Sequence, residues 1–396
     1  MALRVLELYS GVGGMHCGLA ESGVAAEVVA AVDVNTNANK VYKYNFPHTP
    51  LWPKTIEGIT LKELDALSFD MILMSPPCQP FTRIGLQGDI SDPRAKSFLY
   101  VLDILPRLKK LPAYILLENV KGFESSEARE ALIGTLQKCG YVYQEFLLSP
   151  TCLGIPNSRL RYFLIAKLQT EPFAFPISNT ILEEFPSQHS IDPGRRRVIH
   201  CSENNPQAGA DQKNPSCPFS GTDHGPEKTF LYKLETAQEL ERKQGQDNDA
   251  SVRMLQDFLE TSVEEMSQYF LPPKSLLRYA LILDIVRPTC RRSTCFTKGY
   301  GHYVEGTGSV LQTATDVEID SVYNSLELLN EEEKLAKLSS LKMRYFTPRE
   351  IANLHGFPET FGFPEEVTTK QRYRLLGNSL NVHIVSSLIS LLLQSP

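Results

Sequence analysis

No apolar run in this chain approaches the ~20 residues that a bilayer-spanning helix requires, so no membrane anchor is expected. The longest candidates, around Tyr279–Val286 and Ile384–Leu393, read as core segments. No secretory leader is expected either, because Leu3-Arg4-Val5-Leu6-Glu7-Leu8 reads as a strand at once. The eight cysteines lack the tight framework of a disulfide-stapled protein. Reduced thiols, in the cytosol or the nucleus, are the expectation. Cys290 and Cys295 stand too far apart for a CxxC knuckle, and no histidine pair lies near them, so no metal is expected. Positive charge is not in surplus: 40 Lys and Arg against 46 Asp and Glu leave a net charge of −6. That excludes a protein that coats nucleic acid by bulk attraction but leaves room for a local basic groove. No internal repeat is visible.

The composition that remains is ordinary globular, 42% hydrophobic and 22% charged, in a chain of 396 residues. Such a length accommodates one large domain and one smaller one. Short apolar strands alternate with helical patterns up to about Leu168, the signature of an open parallel sheet in an α/β fold. The strands are expected at Val5–Leu8, Val28–Val32, Met71–Met74, Tyr114–Leu117, Tyr143–Leu147 and Tyr162–Ala166, with helices at Ser97–Leu108 and Glu127–Lys138. From Gly194 to Lys228 the chain is rich in Asn, Pro, Gly and Ser, which predicts a mobile insertion. A charged helical stretch is expected over Glu235–Gln268, then an irregular segment over Leu271–Gln312 broken by Gly299, Gly301, Gly306 and Gly308. Thr347-Pro348-Arg349-Glu350 opens a new helix, and Gly377-Asn378-Ser379 leads into another over Val382–Leu393. The expected organisation is a large domain of residues 1–170 and 341–396, interrupted by a smaller one at 171–340.

Four pieces carry chemistry. Ser75-Pro76-Pro77-Cys78-Gln79 follows the apolar run Phe69–Met74, so Cys78 sits on a stiff loop at a strand end. In doubly wound sheets that edge is where ligands bind. Alone, the motif fits either a positioned thiol or a small buried one. Ser10-Gly11-Val12-Gly13-Gly14-Met15 is a glycine-rich first βα turn whose backbone can approach a ligand. It departs from GxGxxG because His16 stands where the third glycine would fall, which weakens NAD and leaves another adenosine cofactor open. Asp33, about 20 residues on, is placed like the acid that holds ribose hydroxyls; a capping Asp beside a glycine turn fits as well. Glu118-Asn119-Val120 leaves the strand 114–117, where partial burial raises a carboxyl pKa. Arg159 and Arg161 share one face of an extended segment, suited to an anion or a base edge. Further basic clusters lie at Arg195–Arg197, at Arg291 and Arg292 with Lys298, and at Lys370, Arg372 and Arg374.

Taken in this order, with Gly377-Asn378-Ser379, these motifs resemble the cytosine-5 methyltransferase family. Six separated motifs agree across nearly the whole catalytic part of the chain. The resemblance implies a Rossmann-like domain that uses S-adenosylmethionine, with a smaller inserted target-recognition domain. Val12, Gly13 and Gly14 would approach the methionine part, Asp33 the ribose, and Ile56 and Glu57 the adenine. Asn378 and Ser379 would close the pocket, and Ser75 belongs to the same contact set. Cys78 would add to C6 of cytosine, Glu118 would hold a proton at N3 and Arg161 would meet O2, with Arg159 and Asn119 orienting them. The absence of a large N-terminal regulatory region and the triplet Cys295-Phe296-Thr297 resemble the eukaryotic branch that methylates tRNA, at cytosine 38 of tRNA-Asp. A target in an anticodon loop is already unpaired, which lowers the cost of extruding it. Around the triplet, Arg291, Arg292 and Lys298 are expected to meet phosphates, with Cys295, Phe296 and Thr297 lining the target pocket. A monomer is expected, with weak DNA binding at most. The rival expectations are a DNA cytosine-5 methyltransferase and a catalytically inactive RNA-binding scaffold.

Overall fold

The computed structural model describes residues 2–77, 89, 92–169, 172–186, 237–261 and 266–395. Strand β1 (Leu3–Leu8) turns through glycines into helix α1 (Gly14–Glu21) and returns as β2 (Ala26–Val32). Helix α2 (Thr36–Asn45) starts at Asn35, whose side chain accepts the Asn37 and Ala38 N–H groups. Then come β3 (Leu51–Trp52), α3 (Leu61–Leu67) behind a Thr60–Glu63 capping box, and β4 (Met71–Met74). Helix α4 (Lys96–Ile104) is followed by β5 (Tyr114–Val120), α5 (Glu127–Lys138), β6 (Tyr141–Leu148) and β7 (Arg161–Leu168). The helix expected over 97–108 gives way to a 3-10 turn at Leu105–Arg107. Pro106 lacks the N–H that would continue it.

These seven strands form one sheet in the order β3-β2-β1-β4-β5-β7-β6. The chain builds outward from β1 to β3, then crosses back to place β4 on the other side of β1. That reversal opens a crevice at the carboxyl ends of β1 and β4. One expectation needs correcting: the sheet is mixed, because β7 runs antiparallel to both β5 and β6. A parallel pair needs a covering crossover, usually a helix. The 149–160 connection carries Pro150, Gly154 and Pro156 and forms only a short 3-10 turn. A second correction concerns β5, which does not end at Leu117. Its pairing with β4 stops at Met74–Leu117, while pairing with β7 continues through Glu118–Phe163 and Asn119–Tyr162. Glu118 therefore stands on a strand edge that faces the exit of β4.

Beyond residue 236 come α6 (Ala237–Asp247), α7 (Pro273–Tyr279), β8 (Ile285–Val286), β9 (Val310–Gln312), α8 (Ile319–Asn324), α9 (Glu331–Ser340) and β10 (Met343–Arg344). The last three strands make a small sheet in the order β10-β9-β8, with its own apolar cluster around Leu276, Val310, Leu338 and Leu341. The long charged helix expected over 235–268 ends at Asp247. Asp249 there accepts hydrogen bonds from the Ser251 N–H and hydroxyl, a turn that competes with helix. The expected insertion 194–228 lies outside the described residues.

Helices α10 (Pro348–Leu354), α11 (Thr369–Gly377) and α12 (Val382–Leu393) close the chain. The stretch Thr369–Leu393, which spans α11 and α12, is long enough to cross a membrane by length and composition only. Its apolar side chains Val382, Ile384, Val385, Leu388, Ile389 and Leu392 are buried in the protein itself. Each such side chain contributes roughly 1.5–3 kcal/mol. Helix α12 lies against α1 so closely that a Cβ on Gly18 would come within 2.5 Å of Val385 Cγ1.

Candidate active site

A cavity of about 450 Å³ occupies the crevice between β1 and β4. Its floor is the glycine-rich turn. Tyr9 and Gly11 adopt φ values of +56° and +53° there, which swing the chain out of β1. The Gly11 N–H donates to Asp33 Oδ2 at 2.8 Å, and the Asn35 N–H donates to Oδ1 at 2.7 Å. Burial raises the Asp33 pKa, and these backbone donors pull it back. Ser10 Oγ is buried on the cavity wall without a protein partner. Buried hydroxyls are normally satisfied, so this atom fits a wall built for a polar ligand.

Val12, Gly14, Asp33, Ile56, Glu57, Ser75, Asn378 and Ser379 all line this cavity. Gly13 does not. It is the N-cap of α1 at φ +91°, and a Cβ there would collide with the Phe46 ring, so packing and backbone geometry demand this glycine. Gly14 serves close approach: a Cβ would lie 3.2 Å from Ser379 Oγ. The turn after α11 thus meets the turn after β1 across some 360 residues of chain.

Glu118, Arg159 and Arg161 line the cavity as well. Burial raises the Glu118 pKa, and Arg161 followed by Arg159 opposes that rise. Arg161 Nε is 3.6 Å from Glu118 Oε1. Asn119 turns away from the cavity; its Nδ2 donates to the Pro76 carbonyl at 3.4 Å and braces the Pro-Pro loop. Cys78 itself lies outside the described residues, which resume the loop's description only up to Pro77.

Arg159 is a buried bracket. Its Nη1 donates to the Phe296 carbonyl at 3.1 Å and to Cys295 Sγ at 3.3 Å. Its Nη2 donates to the carbonyls of Gly377 and Ser379. Arg161 Nη2 also reaches Cys295 Sγ, at 3.6 Å. Burial pushes the Cys295 thiol up, but the two guanidiniums outweigh it and leave the pKa below the ordinary cysteine value. Gly377 packs on the Thr297–Lys298 peptide, with no room there for a Cβ. The Cys295–Lys298 segment is therefore a wall fixed to both the arginine pair and the C-terminal turn.

Other expectations for this wall change. Phe296 is buried against Tyr300 and Phe346, with ring centroids 5.0 and 5.2 Å away, so its ring faces the core and not a target. Arg292 is buried in ion pairs with Asp284 and Asp247, which removes it from any phosphate role. Arg291 does not line the cavity; its N–H is held by Asp247 and its guanidinium by the Val252 carbonyl. Thr297 is half-buried and Lys298 is exposed. Asn35 lines the cavity without having been expected there, and Ser10, which heads the glycine-rich motif, had no role assigned to its hydroxyl, because a hydroxyl without a partner leaves no sequence signal. Among the described residues no cluster of three His, Cys, Asp or Glu side chains is arranged to hold a metal.

A mixed sheet with a cavity at its switch point, walled by a glycine turn and an acid–arginine group, defines an α/β protein with a candidate ligand site. The description "C-5 cytosine-specific DNA methylase" belongs to a family model that matches residues 3–394, and the chain belongs to this family. It is a methyltransferase acting at cytosine C5. A Homo sapiens relative named tRNA (cytosine(38)-C(5))-methyltransferase is 65% identical over 98% of this chain and 99% of its own length. A Dictyostelium discoideum relative named DNA (cytosine-5)-methyltransferase is 41% identical over 98% of this chain and 94% of its own. The solved structure of a Spodoptera frugiperda DNMT2 mutant superposes with a TM-score of 0.75 at 37% identity, covering 99% of this chain and all of that one.

Proposed function

We propose that this enzyme methylates C5 of cytosine 38 in the anticodon loop of tRNA, tRNA-Asp foremost, through a covalent Cys78 adduct. What carries the RNA reading is the 65% identity to the human relative across nearly the whole chain; the Cys295-Phe296-Thr297 wall that Arg159 ties to the pocket accompanies it. The printed name of the human relative supports the same substrate. S-adenosylmethionine, when bound in the cavity, supplies an electrophilic methyl group. Ser10, Asp33, Ile56 and Glu57 are the residues that would hold it, and the unpartnered Ser10 hydroxyl fits that use.

Cytosine C5 is a weak nucleophile until a thiolate adds to C6, and Cys78 takes that role. Electron density that moves into the ring is met at N3 by a proton from Glu118, whose raised pKa favours the protonated carboxyl. Arg161 faces O2 and holds Glu118 in place. After C5 is alkylated, its proton leaves and Cys78 is expelled. An unpaired loop cytosine reaches the pocket at lower cost than a base in duplex.

The test is transfer of label from S-adenosylmethionine to total tRNA, tRNA-Asp transcript and duplex DNA, with mapping of 5-methylcytosine. Label at cytosine 38 that vanishes in Cys78→Ala, with cofactor binding retained, supports the reading. The name of the Dictyostelium relative favours a second reading, duplex DNA. Label on DNA and none on tRNA would establish it and overturn the first.

A further inference from the structure

Beyond Lys298 the wall continues into a loop whose main chain is pinned, while the side chains of His302, Tyr303 and Glu305 face solvent. The His302 and Tyr303 N–H groups both donate to the Gly299 carbonyl, at 3.0 and 2.9 Å. The Thr307 hydroxyl donates to the Tyr303 carbonyl at 2.7 Å. Gly301, at φ +74°, packs on Tyr373, where a Cβ would lie 2.9 Å from the ring. On this fixed turn Tyr303 is 65% exposed, the most exposed large aromatic among the described residues. Its ring edge rests near Gly299, with Cδ2 3.1 Å from where a Cβ would stand. His302 meets it edge to face at a centroid distance of 4.8 Å. Packing in the core does not account for this ring, and the fold presents it a few residues from the pocket wall.

We propose that Tyr303, flanked by His302, is a stacking platform for one unpaired nucleobase adjacent to the cytosine that enters the pocket. The proposal rests on the RNA reading above and names the contact by which the loop substrate is held. Extruding one base from a loop unstacks its neighbour, and an aromatic face replaces the lost stacking for any base. Lys298 and Glu305, both exposed on the same loop, bring opposite charges. Net charge there is therefore a poor source of affinity, and the π face is the feature left to supply it.

The experiment compares the full chain with Tyr303→Ala, Tyr303→Phe and Leu328→Ala, the last an exposed apolar site far along the chain and 95% accessible. Binding of fluorescein-labelled tRNA-Asp is read by anisotropy, and KM and kcat by methyl transfer. Tyr303→Ala should weaken binding and raise KM roughly 5- to 150-fold, with kcat and S-adenosylmethionine affinity nearly unchanged. Tyr303→Phe should restore binding, and Leu328→Ala should behave as wild type. Abasic substitutions scanned through the loop should show one position where Tyr303→Ala has no further effect, which identifies the stacked base. Equal binding by wild type and Tyr303→Ala, or additive losses at every abasic position, would overturn the platform. A wild-type chain that leaves tRNA unmethylated would overturn the functional reading instead, and the anisotropy comparison would still decide the platform.

Discussion

Glu118 sits between opposed effects, burial that favours its neutral form and two guanidiniums that favour its charge, and burial prevails. Its place after an apolar strand made this readable from sequence, since a carboxyl at a strand end in an α/β sheet is partly desolvated. In the proposed mechanism the protonated carboxyl is the form that donates to cytosine N3. Activity should therefore decline as pH rises through a Glu118 pKa lying above the ordinary glutamate value. Glu118→Gln should lower kcat by roughly 10²- to 10⁴-fold and remove that alkaline limb, as a pH–rate profile would report. Glu7 was not readable in this way, because nothing in the alternation of a buried strand marks a carboxyl as solvent-free. It is fully buried, hydrogen-bonded by the Tyr42 hydroxyl at 2.7 Å, and burial pushes its pKa from 4.5 up to about 8. The unfolded chain ionises this group from pH 4.5 upward while the folded one resists until about 8. Stability is thus lost as pH climbs across that window and levels off above it. Glu7→Gln should raise Tm more at pH 8 than at pH 5, and calorimetry at both values checks it.

At the scale of elements, the helix limits that rest on local chemistry were legible. Serine and asparagine caps set the starts of α5 and α12, and Glu127–Lys138 and Val382–Leu393 match the expected helices. Strand direction was not legible, since an apolar run is equally apolar in either sense, and β7 turned out antiparallel. The role of Gly377 was also hidden: it belongs to α11 by sequence, yet its need for a bare Cα comes from the Thr297–Lys298 peptide some 80 residues away. Gly377→Ala should force that peptide off the C-terminal turn, at a cost of about 1–3 kcal/mol. It should also weaken cofactor and RNA binding together, because both walls of the pocket hang on the same contact. Thermal melts paired with two titrations distinguish this from a loss confined to one ligand.

At the scale of the molecule, the large sheet is covered by a helix from the far end of the chain, α12, which packs on α1, β5 and β7. We propose on this ground that residues 1–170 do not fold alone. A fragment ending at 170 should lack a cooperative melt, and adding residues 341–396 in trans should restore one; a sharp transition in the fragment alone would contradict this. The sequence by itself determined six of the seven strands of the α/β sheet (all but β3), the glycine turn, Asp33, the acid at 118 and the arginine pair. Each of these is written in local pattern: hydrophobic period, strand-end position, glycine spacing. Only the tertiary structure decided what those residues meet. It turned Arg159 into a bracket between Phe296 and the Gly377–Ser379 turn, took Arg292 and the Phe296 ring away from the substrate, and left the Tyr303 ring exposed. Contacts between residues hundreds apart depend on how packed elements share volume and charge, and no local pattern encodes that.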